Sequence, residues 1–280
     1  MLGIKIDNKK SNLFFIYLKL IYKMEEALIP KSNQVSTPIP MNEMSTYKQK
    51  ENAICKLISD SGTPLGTGFF CQITIKYKTI KFLFTCNHVL DKLKIQIGST
   101  IQLKHKGTIK IIEITKNRFV YTNEELDYTC IEIFDNENFD KYFKIDPDIN
   151  CDNPFEEYKD DSIVIMQCPG VEDVLVTEGE IEEIKNNKNI IYSLSTDGGS
   201  SGSPIILSNR NLNIIGIHQG NINQNNKGVY FKIVLEDLEK QYLKFLENNS
   251  NIKTIGTYED EGTILDNYYN KQFKKNNKKW

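Results

Sequence analysis

The chain is short of the groups that most cofactor and nucleic-acid chemistry needs. Only three histidines stand among 280 residues, and no two of the six cysteines form a Cys-x-x-Cys pair, so the ligand spacing of a structural zinc site is missing. No sign of charge dominates: 35 Lys and Arg face 37 Asp and Glu, a formal net charge of -2. That excludes a whole-molecule field drawing the protein onto nucleic acid or an anionic membrane. No apolar run reaches the roughly 20 residues of a membrane span. The nearest candidate, residues 12–22, follows Lys9 and Lys10 in the order of a secretory signal. Lys19 interrupts it, however, and no small-x-small cleavage site follows. The expectations are no metal, no cofactor, no nucleic-acid partner and no transmembrane span.

What is present is enough for a sizeable core. The hydrophobic fraction is 39%, with 14 Phe and 14 Tyr, while the charged fraction of 26% is that of an ordinary globular chain. Most cysteines lie inside apolar runs, where a free thiol serves as a small core residue. Reduced thiols favour the cytoplasm over secretion. Pro30, Pro38 and Pro40 among Ser, Thr, Asn and Gln mark residues 1–50 as a flexible leader. A folded domain is expected over residues 51–247, followed by a polar, basic tail at 248–280.

Within that domain, short β-rich runs alternate with turn residues, as in residues 68–75, 108–114 and 162–166. The absence of helix-strand alternation implies an all-β barrel or sandwich. One helix is expected late, where Leu235, Leu238, Tyr242, Phe245 and Leu246 recur at helical spacing.

A serine hydroxyl becomes a useful nucleophile only when a base removes its proton and a third group orients that base. Three histidines make the search for a base short. His105, between Lys104 and Lys106, reads as a residue of an exposed strand, leaving His88 and His218. His88 follows the apolar run Phe82–Cys86 and Asn87, so a buried strand delivers its ring to a turn. Gly198-Gly199-Ser200-Ser201-Gly202-Ser203-Pro204 lies between two β-rich runs, and its glycines permit a sharp turn that exposes a hydroxyl beside backbone N–H groups.

In order along the chain, Gly66-Thr67-Gly68-Phe69, Thr85-Cys86-Asn87-His88 and Gly199-Ser200-Ser201-Gly202-Ser203-Pro204 resemble the signatures of chymotrypsin-type serine peptidases. The resemblance implies two six-stranded antiparallel β-barrels with a C-terminal helix. It makes His88 the general base, Ser201 the nucleophile, and the N–H groups of Gly199 and Ser201 the oxyanion hole. The aspartate of that family lies between base and nucleophile; Asp127, which opens an alternating strand over residues 128–133, fits best, with Asp135 and Asp140 as rivals.

Residues 194–199 and 214–220 are similar to the bacterial glutamyl endopeptidases. That likeness assigns Thr196 and His218 to the pocket for the side chain before the scissile bond. Gln219 departs from the family's aromatic residue, and Ser200 from its Asp or Asn. The implied activity is acyl transfer on protein or peptide substrates. Two rivals remain: a catalytically silent binding module on the same fold, and an enzyme kept latent by its leader.

Overall fold

The structure is a computed structural model that describes residues 41–170, 173–222 and 225–253. Most of the expected leader and tail lies outside the described residues. Helix α1 (Met41–Lys50) falls within the stretch that composition reads as leader, and Tyr47 on it is buried.

Seven strands form the first half: β1 (Ile54–Ile58), β2 (Pro64–Ile75), β3 (Lys78–Thr85), β4 (Thr100–His105), β5 (Thr108–Glu113), β6 (Val120–Asn123) and β7 (Tyr128–Glu132). They pair antiparallel in the order β5-β4-β1-β2-β3-β7-β6, a sheet that curls into a half-barrel. Local chemistry sets the hairpins. Lys106 and Gly107 both have positive φ, the backbone a two-residue turn needs to match strand twist, and they join His105 directly to Thr108.

After a short helix α2 (Pro154–Tyr158), six strands make the second half: β8 (Ser162–Gln167), β9 (Leu175–Lys185), β10 (Asn189–Ser193), β11 (Pro204–Leu207), β12 (Ile214–Ile222) and β13 (Asn225–Tyr230). These close into a barrel, β10-β13-β12-β11-β8-β9. The expected late helix is α3 (Phe231–Lys253). The architecture fits the expected chymotrypsin-like double barrel, with the second half closed and the first curled. No helix among the described residues is long and apolar enough to cross a membrane.

The two halves share backbone. The Phe143 N–H donates to Phe70 O and its carbonyl accepts from Gln72 N; one residue on, Lys144 O accepts from Ile214 N and Asp146 N donates to Ile214 O. Around this seam sits an aromatic cluster. Phe69 stacks on Phe84 at 5.6 Å and meets Phe143 and Phe231 at 6.3 and 6.4 Å. All four rings are fully buried, so α3 is fixed to the first half as well as to the barrel it follows.

Two local readings change. His105 is buried on β4, with Nε2 2.8 Å from Asn52 O and its ring edge-on to Phe70 and Phe139. The flanking lysines misled, because alternation along a strand turns His105 inward while its neighbours face out. Strand β7 is buried at four consecutive positions rather than at every second one, since the first sheet is covered on both faces there. All six cysteines are free thiols, five of them buried.

Phe69→Ala is expected to cost about 3–5 kcal/mol of stability, the range for removing a buried phenylalanine. Urea denaturation checks this, and a loss below about 1 kcal/mol would show that the cluster does not join the halves.

Candidate active site

Strand β3 carries a buried chain as far as Cys86. There the N–H groups of Val89 and Leu90 both turn back to Cys86 O, and this tight turn pushes the His88 side chain into solvent at 49% exposure. Asp127 sits in the turn between β6 and β7 with φ +48°, a conformation uncommon for a residue with a side chain. Its carboxylate accepts the His88 backbone N–H at 3.0 Å and lies 2.9 Å from His88 Nδ1. A carboxylate at Nδ1 fixes the proton there and leaves Nε2 as the basic nitrogen. The two rivals are engaged elsewhere: Asp135 pairs with Lys81 and Asp140 with Lys106.

The loop bearing Ser201 is bound on every side. Thr67 N–H donates to Ser201 O and Thr67 Oγ1 donates to Gly199 O, while the same Oγ1 accepts from Cys168 N. Gly202, at φ +88°, has no room for a side chain: a Cβ there would lie 2.2 Å from Thr67 O and 2.3 Å from Thr85 Oγ1. The amides of Ser200, Gly202 and Ser203 are taken up by Asp197 O, His218 O and Ser200 O. Among the described residues, those of Gly199 and Ser201 have no such partner. Two unspent N–H groups beside one hydroxyl are what a developing oxyanion requires. The Ser201 hydroxyl itself donates to Gln219 O at 3.3 Å, and no hydrogen bond joins it to His88 among the described residues; hydrogen bonds between catalytic groups are often long or poorly aligned until substrate binds.

His218, on β12, is buried with both ring nitrogens facing protein groups. Tyr192 OH lies 2.5 Å from Nδ1, and Ser200 Oγ lies 3.4 Å from Nε2 while donating to Asp197 O at 2.6 Å. One assignment satisfies every group: Tyr192 donates to Nδ1, Nε2–H donates to Ser200, and Ser200 donates to Asp197 O. Burial, with His88 nearby adding repulsion, pushes the His218 pKa down to about 3. The ring is therefore neutral. Thr196 Oγ1 donates to Asn226 Oδ1 at 2.7 Å, with Asn221 Oδ1 at 3.3 Å.

Sequence reasoning missed three contributors. Gln219, noted only as a departure, uses its side chain to hold Leu126 O at 2.8 Å while its carbonyl accepts from Ser201. Cys86 donates to His218 O at 3.2 Å, and Tyr192 fixes the His218 tautomer; both lie in apolar runs that gave no sign of polar work. Cys86, His88 and Asp127 also form the one grouping of potential metal ligands among the described residues, within 4.8 Å of one another. Burial, then the Asp127 charge, raises the thiol pKa well above its ordinary value. A cavity of about 350 Å³ opens beside these groups, lined by Leu126, Asp127, Gln219, Asn221 and Lys227 among others. A larger one, about 630 Å³, lies between β2 and α3 and includes none of the candidate residues.

The depressed His218 pKa has a stability consequence. The unfolded chain binds a proton at this histidine from about pH 6.5 downward, whereas the folded chain does so only near 3. Stability is thus lost as pH falls through that window, by up to about 1.4 kcal/mol per unit. Burial also lowers the His105 pKa, with the same sign. His218→Gln, which keeps a donor and an acceptor, is expected to flatten the fall in urea midpoint between pH 6.5 and 4.5; an unchanged slope would contradict a buried neutral ring.

Comparison with known proteins gives the family and the fold. The trypsin-like peptidase domain matches residues 66–217, more than half of the chain, and that span holds His88, Asp127 and Ser201. No curated protein matches. The serine endoprotease from Yersinia pestis is similar with a TM-score of 0.52 at 15% identity, covering 72% of this chain and 67% of that one. Rv3671c from M. tuberculosis, in an inactive form, gives 0.52 at 15% identity, covering 74% and 95%. A human pathogenic astrovirus serine protease gives 0.45 at 19%, covering 65% and 90%. At these identities the structural likeness concerns the fold, and it is the domain match that assigns the chain to the trypsin-like peptidase family.

Proposed function

We propose that the protein is an active serine endopeptidase in which His88, Asp127 and Ser201 form the catalytic triad. The observation that carries this reading is the Asp127 carboxylate at 2.9 Å from His88 Nδ1, together with the unspent amides of Gly199 and Ser201 around the hydroxyl. In the proposed reaction, His88 Nε2 takes the Ser201 proton as Oγ adds to the substrate carbonyl. The two amides hold the oxyanion, His88 returns the proton to the leaving amine, and water then releases the acyl-enzyme. Asp127 keeps the ring in its Nδ1–H tautomer and stabilises its charged form. Substrates are proteins or peptides.

The finer proposal is a preference for glutamate before the scissile bond, with Thr196 and His218 in its pocket. Support comes from the sequence likeness; of the two polar contacts of the His218 ring, that of Ser200 at Nε2 is the weaker, at 3.4 Å against 2.5 Å for Tyr192 at Nδ1. Because burial keeps the ring neutral, recognition would use hydrogen bonds without a full opposing charge, at about 1.5–3 kcal/mol for a bond to a charged group.

A fluorophosphonate probe is expected to label the protein, with labelling abolished in Ser201→Ala and His88→Ala and slowed about 10⁴-fold in Asp127→Asn, where the tautomer is lost. Absence of labelling, both in the full chain and in a chain beginning at Met41, would favour the silent binding module. In a peptide library, cleavage is expected after Glu in preference to Gln by roughly tenfold or more, the equivalent of about 1.4 kcal/mol; equal cleavage after Glu, Gln and Leu would remove the glutamate assignment while leaving the triad intact.

A further inference from the structure

Asp127 sits in the β6–β7 turn at φ +48°, and the residues on both sides of it are tied to a distant element. On one side, the Leu126 N–H donates to Asn123 Oδ1 at 2.9 Å, and Asn123 Nδ2 donates to Asp237 Oδ2 at 2.7 Å. On the other, the fully buried Tyr128 sends its hydroxyl to the same Asp237 Oδ2 at 2.9 Å. Asp237 lies on α3, more than 100 residues further along the chain, and its second oxygen accepts from Gln241 Nε2 at 3.3 Å. Burial favours the neutral acid, yet the hydrogen bonds from Asn123, Tyr128, Gln241 and Tyr121 outweigh it and hold the pKa below the ordinary carboxylate value. The helix is itself anchored, with Tyr242 and Phe245 packed on Phe119 at 5.0 and 5.4 Å and Phe231 against Phe84 at 5.2 Å.

We infer that Asp237 is a positioning residue: through Asn123 and Tyr128 it clamps the β6–β7 turn from both sides and so sets the direction of the Asp127 carboxylate toward His88. The inference rests on the triad reading proposed above. It assigns the C-terminal helix a part in catalysis that does not involve touching substrate. Gln219 holds the same turn from the barrel side, through Leu126 O, so the turn is fixed between the helix and the strand that follows the nucleophile.

The test is Asp237→Ala in the full chain, measured by steady-state kinetics, by the rate of fluorophosphonate labelling and by thermal unfolding. Expected is a fall in kcat of about 10- to 100-fold, the scale for small misplacement of a catalytic group, with KM within about twofold. Labelling should slow by the same factor. Asp237→Asn, whose amide oxygen can still accept from Asn123 and Tyr128, is expected to recover most of the loss. A lowered melting temperature with unchanged kcat would overturn the inference and leave Asp237 a purely structural residue. A readout that needs no turnover separates this from a failure of the triad reading. In the proton NMR spectrum of the Ser201→Ala protein, the low-field His88 Nδ1–H resonance should be lost or shifted upfield on adding Asp237→Ala. An unchanged resonance overturns the clamp, whereas a wild-type chain that never labels overturns the triad.

Discussion

Much of the site's geometry follows from how closely the Ser201 loop is pressed onto the first sheet. Gly202 passes so near Thr67 O and Thr85 Oγ1 that no side chain fits, and Thr67 answers with its N–H to Ser201 O and its hydroxyl to Gly199 O. Thr85 closes the set by donating to Thr67 O at 2.8 Å. These contacts join residues far apart in sequence, from β2 and β3 on one side and the turn before β11 on the other. The same approach directs the peptide so that the amides of Gly199 and Ser201 remain unspent. Fold closure and the arrangement for an oxyanion are therefore one set of hydrogen bonds. A chain that failed to bring its halves together would lose both at once.

The catalytic candidates were legible because their chemistry demands unusual sequence. Two positive-φ glycines around a serine, and a histidine at the end of an apolar strand, leave a pattern that survives without any structure. Asp127 was legible only through the strand that follows it and through the family likeness, since its left-handed turn carries no glycine or asparagine to announce it. His105 shows the limit from the other side. Lysines on both flanks describe the exposed face of a strand, and alternation places the residue between them in the core. The hydrogen-bonding work of Cys86, Tyr192 and Asp237 left no local mark at all. Each acts on a residue at least 26 positions away, and a contact of that kind depends on tertiary approach, which neither periodicity nor composition encodes.

The protein uses two kinds of attachment for α3, and the difference between them is physical. Phe231, Tyr242 and Phe245 supply buried aromatic area, which stabilises the docked helix but is nearly indifferent to small rotations, because dispersion and the hydrophobic effect have little directional preference. Asp237 adds far less area and carries a desolvation cost. In return its oxygens accept along particular directions from Asn123, Tyr128 and Gln241, and hydrogen bonds weaken steeply when misaligned. A leucine at this position would leave the buried Tyr128 hydroxyl and the Asn123 amide without their acceptor and the turn free to tilt. The requirement at His88 is angular, since a carboxylate turned away from Nδ1 no longer fixes the tautomer. A half-buried carboxylate at Asp237 is thus understandable as a means of transmitting orientation to the β6–β7 turn, with the aromatic cluster providing the rigid support against which it acts.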